Sequence, residues 1–405
     1  MSALSTRRAT TPGGPASLGA IRDRWARLRR GETGALPVVV GMVVIWLFFQ
    51  SQNANFLTAR NLSNLVLQLG VVGTLAIGVV LVLIAGEIDL SLGAVAGVCA
   101  GLLGVLLAQH GWPTWAALTA TLLLGVAIGL LQGAIVVYVG VPSFVVTLGG
   151  FLAWGGVQLA LLGSAGELRV QDSLVRSVAN SYLPPATAWT LAALLVAGVA
   201  GVAWLRQQAW ARAGLDAPPW RAALLPVAGV AVAGAVVVAY LDRYFGVPYL
   251  LVLLLALSAG LGWVTSRTVL GRHMYAIGGS AEAARRAGVP VNRTRVVVFA
   301  IAAALAALAG VVSVSREFSV STGTGGGTLL LEAIAAAVIG GTSLFGGRGR
   351  IYHALLGALV ITSVENGLDL LGKPSSTKDI ATGAILVLAV CLDAISRRRR
   401  AAAGT

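Results

Sequence analysis

Charge is scarce in this chain. Asp, Glu, Lys and Arg together make up 11% of its 405 residues, less than half of the roughly 25% found in soluble domains. With 57% hydrophobic residues and a mean hydropathy of +0.86, that shortage excludes an ordinary water-soluble enzyme. Lysine is almost missing. Only Lys373 and Lys378 occur, and neither stands in a G-x-x-x-x-G-K-[ST] sequence, so the chain has no P-loop. The run Gly323-Thr324-Gly325-Gly326-Gly327 has no lysine, follows no strand pattern and reads as a flexible loop. His110, His273 and His353 are far apart, with no metal-ligand spacing between them. Cys99 and Cys391 lie in separate apolar runs and offer neither a zinc spacing nor a disulfide framework. No local nucleophile and base pattern marks a hydrolase. The first 34 residues are polar and basic, and no cleavage site follows the first apolar run, so a signal peptide is not expected.

Apolar runs of membrane-crossing length dominate what remains. A helix needs ~20 largely apolar residues to cross a bilayer. Such runs fall near 35–50, 65–85, 91–109, 115–138, 142–163, 187–205, 222–241, 247–266, 296–314, 329–346, 351–371 and 379–395. The expectation is an all-α polytopic bundle of about twelve spans, ten at the least, occupying 35–395. The net charge of +14 is clustered: seven arginines lie within 1–34 and four more at 397–400. Basic flanks of apolar spans mark the cytoplasmic side, which places both termini there and needs no nucleic-acid partner. The connections 206–221, 267–295 and 348–350 are also basic and fall inside by the same alternation. The tails 1–34 and 396–405 are then cytoplasmic, the first disordered.

Glycines recur at every fourth position in two spans, Gly93, Gly97 and Gly101 in one and Gly125, Gly129 and Gly133 in the other. That spacing lines one helix face and admits a close backbone, from the same subunit, from a second copy or beside a pathway. Glu87, Asp89, Glu332 and Glu365 lie in or at the ends of apolar runs. Carboxylates there are costly and face protein or water, which suits ion coupling, hydroxyl binding or helix capping; Asp89, two residues before Ser91, suits a cap. In 267–295, Ser280 is placed to cap a short helix over 281–287 that Gly288 and Pro290 stop. Such a helix is too short to be stable alone and fits docking against a partner.

That loop contains Glu282-Ala283-Ala284 with glycine at 288, and it resembles the E-A-A-x-x-x-G coupling loop of ATP-binding-cassette importer permeases. Gly86-Glu87-Ile88-Asp89-Leu90-Ser91-Leu92-Gly93, Val141-Pro142-Ser143-Phe144-Val145-Val146-Thr147-Leu148, Tyr275-Ala276-Ile277-Gly278-Gly279 and Val338-Ile339-Gly340-Gly341-Thr342-Ser343-Leu344 resemble further segments of the ribose/xylose type. The stretch Ser181-Tyr182-Leu183-Pro184 and the added helix pair at 187–241 are similar to the D-xylose branch. The resemblance implies a multi-pass permease of a bacterial inner membrane, for a monosaccharide such as D-xylose or for another small solute. It implies a homodimer with a separate ATPase inside, where ATP and Mg are used, and a sugar-binding protein outside. No cofactor is expected on this chain. Gly279, Ser280, Glu282, Ala283, Ala284, Arg285 and Gly288 would contact the ATPase. Glu87, Asp89, Ser91, Glu332, Thr342, His353, Glu365 and Asn366 are candidate pathway or structural polar residues. The pattern departs at Leu330-Leu331-Glu332, where relatives of that type often read E-L-D, and at His353, where they carry glycine. An ion-coupled secondary transporter is the alternative from outside this family.

Overall fold

The computed structural model describes residues 36–215 and 219–402. The expected tail at 1–34 lies outside them. Among the described residues, nine helices are long and apolar enough to cross a membrane. They are α2 (Ala59–Ile84), α3 (Leu92–Gly104, extended by a π turn Val105–Gln109), α4 (Thr114–Ala134, extended by Ile135–Val139) and α5 (Ser143–Leu162), with α7 (Pro185–Arg212), α8 (Trp220–Leu241), α9 (Tyr249–Arg267), α12 (Val291–Glu317) and α14 (Ile351–Leu370). The other three apolar runs are helical as well. The first, α1 (Leu36–Gln52), has 17 residues. The last, α15 (Ser375–Ala402), has 28 residues and continues through the arginines at 397–400. The run at 329–346 is not one span. Its helix α13 (Leu329–Ile339) has 11 residues, which reach ~16 Å of a ~30 Å hydrocarbon core. Gly340 and Gly341 end it.

The bundle is layered around α2 and α12. In α2, 94% of the apolar window is buried, against 6% in α7, so α2 is the central helix and α7 a peripheral one. The helices α9, α12, α13 and α14 surround α2, while α12 also packs on α3 and α4. Small residues permit that closeness. A methyl group at Gly129 would stand 2.4 Å from the Phe299 carbonyl oxygen, and one at Gly125 2.8 Å from that of Ala303. The stripe on α4 therefore packs on α12 of the same chain, and Gly93 and Gly97 on α3 meet the 324–325 turn and Gln158 of α5. The added pair α7 and α8 packs chiefly on itself. Its link to the centre includes the Tyr240 hydroxyl, which donates to the Leu57 carbonyl.

Three short helices and two ladders complete the ends. The helix α6 (Ser173–Asn180) is capped by Asp172, whose Oδ1 accepts from the Val175 amide at 2.9 Å. Strand β1 (Glu167–Arg169) pairs antiparallel with β4 (Ser319–Ser321), and β2 (Tyr182–Leu183) with β3 (Val247–Pro248). These ladders leave the fold all-helical; strands of two or three residues carry no readable period in a sequence. At the opposite end stand α10 (Val269–Gly279) and α11 (Ala281–Arg286).

Candidate functional site

Two regions concentrate the polar chemistry, one at each end of the bundle. The end carrying α10 and α11 is held by backbone contacts at glycines. A methyl group at Gly278 would lie 1.9 Å from the Ile84 carbonyl oxygen and 2.4 Å from the Gly347 amide nitrogen, and one at Gly346 2.7 Å from Gly86 Cα. The Gly347 amide donates to the Ile84 carbonyl at 3.0 Å, and the Tyr275 hydroxyl donates to the Gly349 carbonyl at 2.7 Å. This junction joins the end of α2, the end of α10 and the 340–350 connection that follows half-helix α13. Glu87 adds an ion pair to Arg295 at the foot of α12, 2.7 Å between Oε1 and Nε.

Helix α11 projects from that junction. Ser280 Oγ accepts from the Ala283 amide at 3.2 Å and caps it. Ala284 is buried with Ile277 and Val291, and Gly288, at φ +79°, turns the chain away. Glu282 is exposed and pairs along the helix with Arg285 at 3.6 Å and Arg286 at 3.0 Å. One face is thus anchored in the bundle while the other presents charge. Gly279 has open space around its Cα.

Asp89 and Ser91 serve the entry to α3. Asp89 Oδ1 accepts from the Ser91 amide at 2.8 Å and from its hydroxyl at 2.6 Å. The turn lies between α2 and α3, outside the spans. Burial pushes the Asp89 carboxyl up to about 6, against the opposing pull of the Ser91 hydrogen bonds. Thr342 is buried in the 340–350 connection. His353 sits where α13 crosses α14, its carbonyl oxygen 2.3 Å from the place of a methyl at Gly340. Asn366 Oδ1 accepts from Asn61 Nδ2 at 2.7 Å, binding α14 to α2.

At the other end, beside β1 and β4, a cavity of about 550 Å³ enters the bundle between α2, α12, α13, α14 and α15. Of the candidate carboxylates, the fold brings Glu332 and Glu365 together here and leaves Glu87 and Asp89 at the opposite end. Glu332 is 9% exposed and accepts from the Thr328 hydroxyl. Thr362, Glu365 and Asp369 follow one another down a single face of α14. The 323–327 run, expected to be a free loop, is packed at the rim: Gly325, at φ +74°, lies so close to α3 that a methyl would be 2.3 Å from the Gly97 amide nitrogen. Gln158 Nε2 secures that rim by donating to the Ser321 and Thr324 carbonyls at 3.0 and 2.8 Å.

Sequence reasoning missed Gln68, Gln158 and Arg295. The first two are lone amides inside apolar runs, and a polar group at such depth is itself the signal. Arg295 was counted only as loop charge. No group of three or more His, Cys, Asp or Glu able to hold a metal ion occurs among the described residues.

Residues 61–390 match the family described as Branched-chain amino acid transport system / permease component. The chain is 37% identical over 363 residues to the Xylose transport system permease protein XylH of Escherichia coli strain K12, covering 89% of this chain and 92% of that one. It is 36% identical over 371 residues to XylH of Haemophilus influenzae, covering 89% and 96%. The Autoinducer 2 import system permease protein LsrC of Shigella flexneri is 30% identical over 362 residues, covering 89% and 86%. No solved structure matches the chain. The chain belongs to this permease family of ATP-binding-cassette transporters, as a multi-pass membrane component of a transport system and not an enzyme.

Proposed function

We propose that the chain is the permease subunit of an importer for a monosaccharide, D-xylose or a related pentose, driven by a separate ATPase. The observation that carries this reading is the division of labour between the two ends: a charged, capped helix anchored at one and a polar cavity at the other. The relatives called xylose permeases support the cargo. Twelve crossings with both termini in the cytoplasm agree with the arginine alternation. The alternation is supported by the ends of the fold, with 86–91, 141–143, 267–290 and 340–350 at one and 163–184, 242–248 and 318–328 at the other, the passage between 328 and 340 being made by half-helix α13.

In this mechanism α11 takes the ATPase of the cytoplasmic side, and two copies of the permease meet an ATPase dimer. ATP closes that dimer and moves α11 with α10. The glycine junction passes the movement to α2 and to the 340–350 connection, because atoms packed at backbone contact shift together. Loaded binding protein docks at the opposite face, over the β1–β4 ladder, and the spans alternate access between the two sides.

The deciding experiment is uptake of labelled D-xylose in a deletion strain and its complemented parent, with ribose, arabinose, glucose and leucine as competitors. Vanadate-sensitive uptake that is lost on deletion and is blocked only by xylose or close sugars is expected. Loss of a different cargo with intact xylose uptake overturns the xylose assignment and leaves the family. The LsrC relatives make a non-pentose sugar-like cargo the second reading, which the same competitors separate.

A further inference from the structure

We infer that the groove floored by α12 between α4 and α9 seats one anionic phospholipid, with an acyl chain along the groove and the phosphate on arginines at its foot. The groove follows from which helices touch. Helix α4 packs on α12, whereas α9 packs on α2 and α14. Between them α12 shows Ala300 and Ala304, whose short side chains leave a channel of about 430 Å³, walled by Leu122 and Leu130 of α4 and by Leu257 and Leu261 of α9. Its lining is Leu, Ile, Val and Ala alone, so it holds out nothing to water or to a polar solute.

Its length selects the occupant. From Val297 to Leu308 the floor runs ~16 Å along α12, about half of a ~30 Å hydrocarbon core. A spanning helix of a second copy would need the full thickness, while one acyl chain belongs to one leaflet. That leaflet is the one on the α10 and α11 side, because Val297 stands in the second turn of α12.

Charge selects the head group. Arg293 precedes Val297 by one turn and shares its face. Arg267 ends α9. Arg272 lies in the first turn of α10, which doubles back on that end: a methyl at Gly271 would be 2.1 Å from the Thr265 carbonyl oxygen. All three arginines are exposed. The ion pairs at this end take Arg285, Arg286 and Arg295 and leave these three without a carboxylate among the described residues. A guanidinium fork matches a phosphate, and basic pockets between spans take anionic head groups. Trp263 and Tyr138, also exposed, stand at the same end, as aromatic side chains do at a membrane–water interface. In lipid the groove contributes shape and dispersion, with no hydrophobic gain, so the arginines decide which lipid stays.

The test uses the full-length chain in phosphatidylcholine vesicles carrying a trace of photoactivatable lipid. The reactive group sits midway along one acyl chain, under either a phosphatidylglycerol or a phosphatidylcholine head, and crosslinked peptides are mapped by mass spectrometry. Phosphatidylglycerol is expected to label α12 between Val297 and Leu308 at least about tenfold more than phosphatidylcholine, at about a factor of five per arginine. R267Q/R272Q/R293Q is expected to bring the two lipids level, and R206Q/R212Q, which removes charge from α7 instead, to leave the gap. A304W, which fills the floor, is expected to abolish labelling there while the arginines remain. Equal labelling by the two lipids in the wild type, a preference that survives R267Q/R272Q/R293Q, or labelling unaffected by A304W would overturn the site. So would a disulfide-linked dimer of A304C in a C99A/C391S background, which would place a second copy over the groove.

Discussion

Gly278 and Gly279 are neighbours in one motif, yet they differ in what surrounds them. A methyl at Gly278 meets two backbones, whereas at Gly279 it meets open space. Gly278→Val is therefore expected to cost about 1–3 kcal/mol or more through overpacking, and Gly279→Ala within about 0.5 kcal/mol. Thermal melts of the purified permease in detergent compare the two. The motif marked the pair but not which glycine is confined, because confinement comes from Ile84 and Gly347, distant in sequence. Asp89 permits a second prediction. Its carboxyl is raised from 3.8 to about 6 by burial, so its contribution to stability is present below the lower value and lost as pH rises through the upper one. The melting temperature of the wild type is expected to fall more between pH 5 and pH 7.5 than that of D89N, whose amide oxygen still accepts from Ser91. A steeper fall in D89N would refute this. The Asp89–Ser91 contact was legible as a local turn, since an Asp two residues before a Ser can accept from that residue's amide and hydroxyl; it closes the turn and leaves the free amides of α3 without a side-chain cap. The convergence of Glu332 and Glu365 was not, because it depends on how α13 and α14 cross.

At the scale of the element, α11 shows how little helix is needed when one face is anchored. Six residues do not hold a helix in water; the Ser280 cap and the burial of Ala284 hold this one. Ser280→Ala is expected to cost about 1 kcal/mol. Glu282→Lys places a third cation beside Arg285 and Arg286 and is expected to weaken ATPase capture about tenfold. Gly288→Trp forces a bulky residue to φ +79°, at about 1–3 kcal/mol, with the same consequence for capture. Pull-down of the ATPase on membrane-inserted permease measures all three, and wild-type recovery with both Glu282→Lys and Gly288→Trp would sink the docking role. This helix was readable because its punctuation, Ser, Gly and Pro, is local. The half-helix α13 was not, since apolar composition is the same for a helix that crosses and one that stops midway. The amphipathic α6 escaped too, being short and outside the apolar runs.

For the whole molecule, the arginine alternation and the two structural ends lead to one arrangement. Ser164→Cys is expected to react with an impermeant thiol reagent only from the outside, and Ser280→Cys only in inside-out vesicles. Reaction of both from one side would overturn the topology. The general plan was visible because lipid demands long apolar runs, while the layering around α2 and α12 follows from glycine and alanine faces whose partners no linear reading names. The short ladders at the end opposite α10 and α11 have a consequence of their own. They are joined by main-chain groups, and the peptide unit is the same whatever side chain it carries. A surface stitched this way can exchange its side chains freely while its shape persists. Descendants of one ancestral permease can thus acquire new companions at that end by point substitution, without rebuilding the platform beneath them.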